Sequence, residues 1–333
     1  MHITEKHSLK RPSIPPELCR PSIIGSTLLI VYAIALYAVP AFLARAVLFT
    51  SLPLPLVILL MIPLIWLAGQ GLLLMAWVGH EGAAHFLLYP NKFFSALVGL
   101  FVSSALPSFL ELGFAVSHRN HHRFTNQTSD PDCRVFSPFK NFWAKLFMAR
   151  TAADIQYFKD AIKMAFNLPL PYPYPFPLKS RSIIILAWAN ISFSLLWLAL
   201  YTFITLNDPI TGIVSIARPF LVTYLLSSLQ PYLEHAGTEE GLGRDARSRV
   251  SPLFTVLYCG NNYHLEHHLY PGAPCYRLPM IHRLLKEQGF YERAGSFVVP
   301  TILDPYAQAA SFPYPQPICE DSNYDPLLPL HNQ

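Results

Sequence analysis

Three short stretches concentrate the histidines of this 333-residue sequence: the pair His80 and His85, the triplet His118, His121 and His122, and the triplet His264, His267 and His268. They hold eight of the thirteen histidines, and both triplets have the spacing H-x-x-H-H. In a helix, positions i, i+3 and i+4 share a face, so each triplet is expected to aim three imidazoles at a common point. Neutral imidazole is a ligand for iron, zinc and copper. A structural zinc takes four ligands and a catalytic one takes three plus water, so eight imidazoles suit two metals better than one. His80 and His85 are separated by about 500° of ideal helix, leaving their rings roughly 140° apart. Either they serve different metals or the helix is distorted there.

Carboxylates stand near these clusters: Glu81, Glu111, Glu234, Glu266, Asp130 and Asp132. They are candidate ligands, or acceptors that orient the second nitrogen of each imidazole. His235 is a ninth candidate ligand, just after an apolar run. His2, His7, His282 and His331 are read as polar plugs or interface residues.

The elements that must carry these clusters are membrane elements. Hydrophobic residues make up 52% of the chain and charged residues only 13%, so the membrane class leads. The net charge of +4 is not spread as a nucleic-acid footprint would be, and no nucleic-acid partner is expected. The five cysteines are scattered with no C-x-x-C pair and are read as reduced thiols. A tail over 1–22 shows no apolar core of signal-peptide type. A membrane domain follows over 23–303, and a proline-rich tail over 304–333. Spans are expected at about 23–44, 54–78, 183–206 and 213–233. A third apolar stretch, 93–116, contains Gly99, Pro107, Glu111 and Gly113. A single crossing there would part the first two histidine clusters by about 30 Å. It is therefore read as a re-entrant or broken hairpin, a shape tolerated when protein buries it.

With this topology, 22 of the 24 basic residues share one side with the histidines, leaving Arg45 and Arg218 elsewhere. The positive-inside rule then puts the clusters and both termini on the cytosolic face. Residues 141–166 alternate aromatic and basic side chains, which suits a helix lying in the membrane interface; an ordinary cytosolic helix is the alternative. The run LPLPYPYPFPLK over 168–179 reads as a stiff extended spacer. The expected fold is all-α: four transmembrane helices, the hairpin, and a cytosolic helical cap carrying the histidines.

At these motifs the chain resembles the membrane fatty acid desaturase superfamily. The matching features are H-x4-H at His80 and His85, His118 to His122 followed by Thr128-Ser129-Asp130-Pro131-Asp132, and Asn262-Tyr263-His264-Leu265-Glu266-His267-His268-Leu269-Tyr270-Pro271. The resemblance implies a non-haem centre of two iron ions with dioxygen as co-substrate. It implies that His80, His85, His118, His121, His122, His264, His267 and His268 are iron ligands, and His235 matches an extra ligand of several members. Pro231 stands where the alkane hydroxylase pattern has asparagine. The final box lacks the hydroxylase form, which favours an acyl-type desaturase acting on a long-chain fatty acyl lipid. Hydroxylation or ketolation of fatty acids, alkanes or carotenoids is the alternative. No H-P-G-G cytochrome b5 signature is present, so the electron donor is expected to be a separate protein of ferredoxin, rubredoxin or cytochrome b5 type. Phe93, Phe94, Phe101, Phe109, Phe114, Trp188, Phe193 and Trp197 are candidate walls of an apolar substrate channel. A metal transporter or receptor is the non-enzyme reading, though 183–206 carries no ionisable group inside the span.

Overall fold

The computed structural model describes residues 9–299 and 314–315. The described residues are mostly helical, and among them four helices are long and apolar enough to cross a membrane: Ile23–Val47, Leu54–Ala84, Ser180–Asn207 and Pro209–His235. The first is α1, started by Ser22, whose hydroxyl accepts from the Gly25 N–H at 3.2 Å. The second is α2 (Leu54–Gly79), prolonged by a π turn over His80–Ala84. At Gly71 a Cβ would strike the backbone of Leu36 and Tyr37, so α1 and α2 pack backbone to backbone, as small residues permit in membranes.

The expected hairpin is two helices, α3 (Lys92–Ser103) and α4 (Glu111–Phe124), joined by a turn. It does return to the end it left, because His85 before it and His118 at its close bring their Nε2 atoms within 3.1 Å. Next come α5 (Pro131–Phe136), capped by the Asp130 carboxylate, and α6 (Phe142–Ala144), capped by Asn141. A π turn over Lys145–Ala149 leads from α6 into α7 (Arg150–Ala165).

The proline-spaced run after α7 is more than a spacer. Phe176 is buried against Phe86, and the Tyr172 hydroxyl donates to Asp160 at 2.5 Å. The third long helix is α8 (Ser180–Asn207), and the fourth runs through α9 (Pro209–Thr211), a π segment (Gly212–Ala217) and α10 (Arg218–His235). Asp208 caps α9 and pairs with Arg45 at 2.8 Å, tying α1 to α9 at the end away from the histidines.

The segment after α10 folds into α11 (Pro252–Tyr258), α12 (His264–Leu269), α13 (Leu278–Glu287) and α14 (Phe290–Ala294). Two three-residue strands, β1 (Arg247–Arg249) and β2 (Phe297–Val299), pair in parallel, a small departure from the all-α expectation. Most of the 304–333 tail, with His331, and His2 and His7 in the N-terminal tail, lie outside the described residues.

Candidate metal centre

All nine expected residues converge, in two adjacent groups. His80, His85, His118, His122 and His267 form one, and His121, His235, His264 and His268 the other. Within each group one possible ligand atom per residue lies within 4.8 Å of all the others. The groups touch: the rings of His122 and His268 have centroids 4.4 Å apart.

The triplets do not aim at one point as expected. In α4, His118 and His122 join the first group and His121 the second; in α12, His264 and His268 join the second and His267 the first. Residues i and i+4 differ by only about 40° around a helix, whereas i+3 and i+4 differ by about 100°. Each triplet therefore gives its i, i+4 pair to one group and its middle ring to the other.

His80 and His85 share a group because the helix is distorted. The π turn lets the His85 N–H reach the His80 carbonyl at 3.2 Å, which stacks residue 85 one turn beyond residue 80. Their ring centroids are 4.6 Å apart.

The facing atoms are Nε2. In the first group the Nε2 separations are 2.9 Å for His80–His118, 3.1 Å for His118–His85, 2.9 Å for His122–His118 and 2.9 Å for His122–His267. In the second they are 3.2 Å for His121–His235, 3.0 Å for His235–His264 and 3.1 Å for His268–His264. Two donors bound at right angles to one ion through bonds of about 2.1 Å would stand about 3.0 Å apart, so the spacing fits a metal.

The outer nitrogens support the same fit. His121 Nδ1 faces Asp130 Oδ1 at 2.9 Å, and His235 Nδ1 faces the Asp245 carbonyl at 2.9 Å. With both Nδ1–H groups directed outward, the two Nε2 atoms meet across 3.2 Å, an arrangement that a metal cation, or in its absence a proton on His121, resolves. Asp130 is itself held by the N–H groups of Asn126 (2.8 Å) and Asp132 (2.9 Å). Glu81 stands 3.4 Å from His80 Nδ1, and Glu234 3.5 Å from His264 Nδ1.

Burial, helped by neighbouring rings, holds His85, His118, His122, His264, His267 and His268 well below 6.5, so they are neutral ligands at neutral pH. Burial also works against charge on His121, yet Asp130 and Asp132 raise that ring to about 9. It is the most basic of these seven donors.

Some expectations need correction. His282 is no isolated plug: its Nδ1 meets Glu266 Oε1 at 2.5 Å, and Tyr291 and Ser248 donate to the same carboxylate. Glu266 thus faces away from the centre, fixing α12 from behind. Glu111 makes no hydrogen bond or ion pair to a histidine among the described residues; it is fully buried against Gly79 with neither oxygen hydrogen-bonded. Of the proposed channel aromatics, only Phe109 and Phe114 line the cavity that reaches the histidines, where Trp77, Phe136 and Tyr157 join them. Phe94, Phe101 and Trp188 are instead 49, 44 and 45% exposed.

Residues that sequence reasoning missed include Asp245, whose carboxylate lies 3.6 Å from His268 Nδ1, and Thr125, 3.3 Å from the same atom. No spacing rule marks Asp245, which reaches the site from a loop. Thr125 was findable, being four residues after His121, at the C-terminal cap of α4.

The cavity offers about 90 Å³, a narrow space below the usual size of a whole small-molecule site. It is apolar along Leu73, Trp77 and Phe109, and polar where Gln230 and Glu234 approach His264.

Residues 51–299 match the family model described as fatty acid desaturase. No curated protein matches the chain.

Proposed function

The chain belongs to the fatty acid desaturase family, and from that premise we propose that it is an oxygen-dependent di-iron enzyme that introduces a double bond into a long-chain fatty acyl lipid. The observation that carries this reading is the pair of adjacent imidazole groups whose Nε2 atoms stand 2.9 to 3.2 Å apart. His80, His85, His118, His122 and His267 would hold one iron, and His121, His235, His264 and His268 the other. When bound, the metal pair supplies the dioxygen chemistry that removes hydrogen from an unactivated C–H bond.

The protein's own work is positional. Asp130 takes the Nδ1–H of His121, and the Asp245 carbonyl takes that of His235, so both rings turn their free lone pairs inward. Phe114 stacks on His118 at 4.8 Å and Trp77 meets His80 edge-on at 4.7 Å, setting apolar walls beside the centre. Such walls exclude water and present one methylene of a chain to the metals. Two hydrogens leave the chain, and the electrons balancing dioxygen reduction come from a separate donor protein. The positive-inside argument puts the centre on the cytosolic side of the membrane.

The test is the lipid profile of a host expressing the wild-type chain beside one expressing His267→Ala. Loss of two hydrogens from an acyl lipid, absent in the variant, is the expected result. An added oxygen would establish a hydroxylase or ketolase instead. Identical profiles in both and in the empty host, across acyl lipids and carotenoids, would overturn an oxidative function. Zinc in the purified protein together with metal transport into vesicles would do the same.

A further inference from the structure

Two cavities in this structure lie on either side of a shared wall. The inner one is the cavity that reaches the histidines. The outer one lies among Ser108, Leu221, Thr223 and Tyr224. Leu106, Phe109, Arg150 and Ser227 line both, so they form the neck of side chains that separates the two spaces. There the Arg150 guanidinium lies 4.4 Å from the centre of the Phe109 ring, and its Nε is 2.8 Å from Asp154 Oδ1.

The depth of the outer mouth follows from helix geometry. Leu221 precedes His235 by fourteen residues on α10, within the span Pro209–His235. At 1.5 Å per residue the mouth is about 21 Å along the helix from the histidine end. The hydrocarbon core of a bilayer is about 30 Å thick, so the mouth opens at hydrocarbon depth. Leu221 is 57% exposed there, and Ser108 is exposed as well. The adjoining segment also turns apolar side chains outward. Tyr224 at the mouth donates to the Phe147 carbonyl at 2.6 Å and meets the Thr151 hydroxyl at 2.8 Å. Phe147, Met148, Ile155 and Phe158 on that segment are 50, 57, 50 and 53% exposed.

The shared wall is shallower than the mouth, since Ser227 precedes His235 by eight residues, about 12 Å. An ion pair near the hydrocarbon is costly unless it is mutually paired and turned to a cavity, and charged groups in such places mark substrate pathways. Arg150 and Asp154 meet that description, with side-chain exposures of 15% and 17%.

We propose that the substrate enters through this lateral passage from within the bilayer, so that the enzyme takes a lipid already dissolved in the membrane. The chain passes the neck between Phe109, Arg150 and Ser227 and reaches the histidines from the hydrocarbon side. This rests on the histidine centre being an oxidising site, and it names the source of the substrate.

The test uses the full chain in phosphatidylcholine vesicles containing a fatty acid with a diazirine near its methyl end. After irradiation, adducts are mapped by mass spectrometry in the wild type, Ser227→Trp and Ser108→Trp. Adducts are expected at Leu221 and Tyr224 of the mouth and at Leu73 and Trp77 of the inner cavity. Ser227→Trp should keep the mouth adducts and lose the inner ones. If that variant fails to fold, Ser108→Trp, changed at an exposed position, should reduce both. Inner labelling that persists in a folded Ser227→Trp protein, or that arises only from a water-soluble thioester of the probe, would overturn the passage. His267→Ala keeps the two readings separable: with product formation gone, its passage should still be labelled.

Discussion

The backbone N–H of His85 donates to the carbonyl of His80 at 3.2 Å, reaching back five residues where an α-helix reaches four. That single widened turn brings two rings into one group although an ideal helix would splay them. Its flatness depends on Gly82, where a Cβ would stand 2.7 Å from the Ser95 carbonyl oxygen and 2.8 Å from Gly99 Cα.

Gly82→Ala should therefore push α3 away from the π turn. The expected cost is about 1–3 kcal/mol of stability, with a loss of bound metal. Thermal unfolding in detergent together with metal analysis measures both. An unchanged melting temperature and metal content would show that the turn tolerates the methyl group.

Asp130→Asn should weaken metal binding by about 10- to 100-fold while leaving the fold intact. Asp130 accepts from His121 Nδ1 and from two backbone N–H groups, so the amide loses the charge and one acceptor. Metal titration of the purified protein reads the change. Affinity equal to the wild type would remove Asp130 from the set of residues that orient ligands.

The Ser248 hydroxyl accepts from the Leu265 N–H at 2.9 Å and donates to Glu266, joining β1 to the start of α12. Ser248→Ala should leave a buried N–H and a carboxylate oxygen without these partners, costing about 1–3 kcal/mol. Tyr291→Phe, which removes another donor to Glu266, should act in the same direction. Denaturant unfolding of both variants tests this, and two unperturbed midpoints would count against the network's role.

Metal-free protein should lose stability as the pH falls below 6.5. Six buried rings, His85, His118, His122, His264, His267 and His268, are depressed by burial below that unfolded value. Above 6.5 these rings are neutral whether folded or unfolded, so their contribution is fully present; below it the unfolded chain takes up protons the folded one resists. Buried Asp132 and Asp245, each raised by burial to about 6, Glu111, raised well above 4.5, and Asp154, raised by burial, work the other way on this acid limb but are outnumbered. His121 is raised to about 9, so its contribution is full below 6.5 and is lost as the pH rises through 9. Melting temperature against pH should peak near neutrality. A metal-free protein that is most stable at pH 5 would contradict this account of the rings.

Histidine spacing, apolar run lengths and the need to bring His85 and His118 to one membrane face were legible in the linear chain. They suffice for four long apolar helices, for a hairpin in place of a fifth crossing, and for the nine residues that gather. These features depend on local periodicity and on the thickness of a bilayer, both of which a sequence carries directly. The tertiary structure alone decided how the rings are shared. His121 and His122 are neighbours in sequence yet belong to different groups, because the side of α4 each occupies acquires meaning only once α12 and α10 are packed against it. The π turn at His80, the carbonyl of Asp245 behind His235 and the clasp of Ser248, His282 and Tyr291 on Glu266 are likewise long-range or strained features. No local pattern encodes them, since each exists only where separate segments compete for the same buried hydrogen bonds.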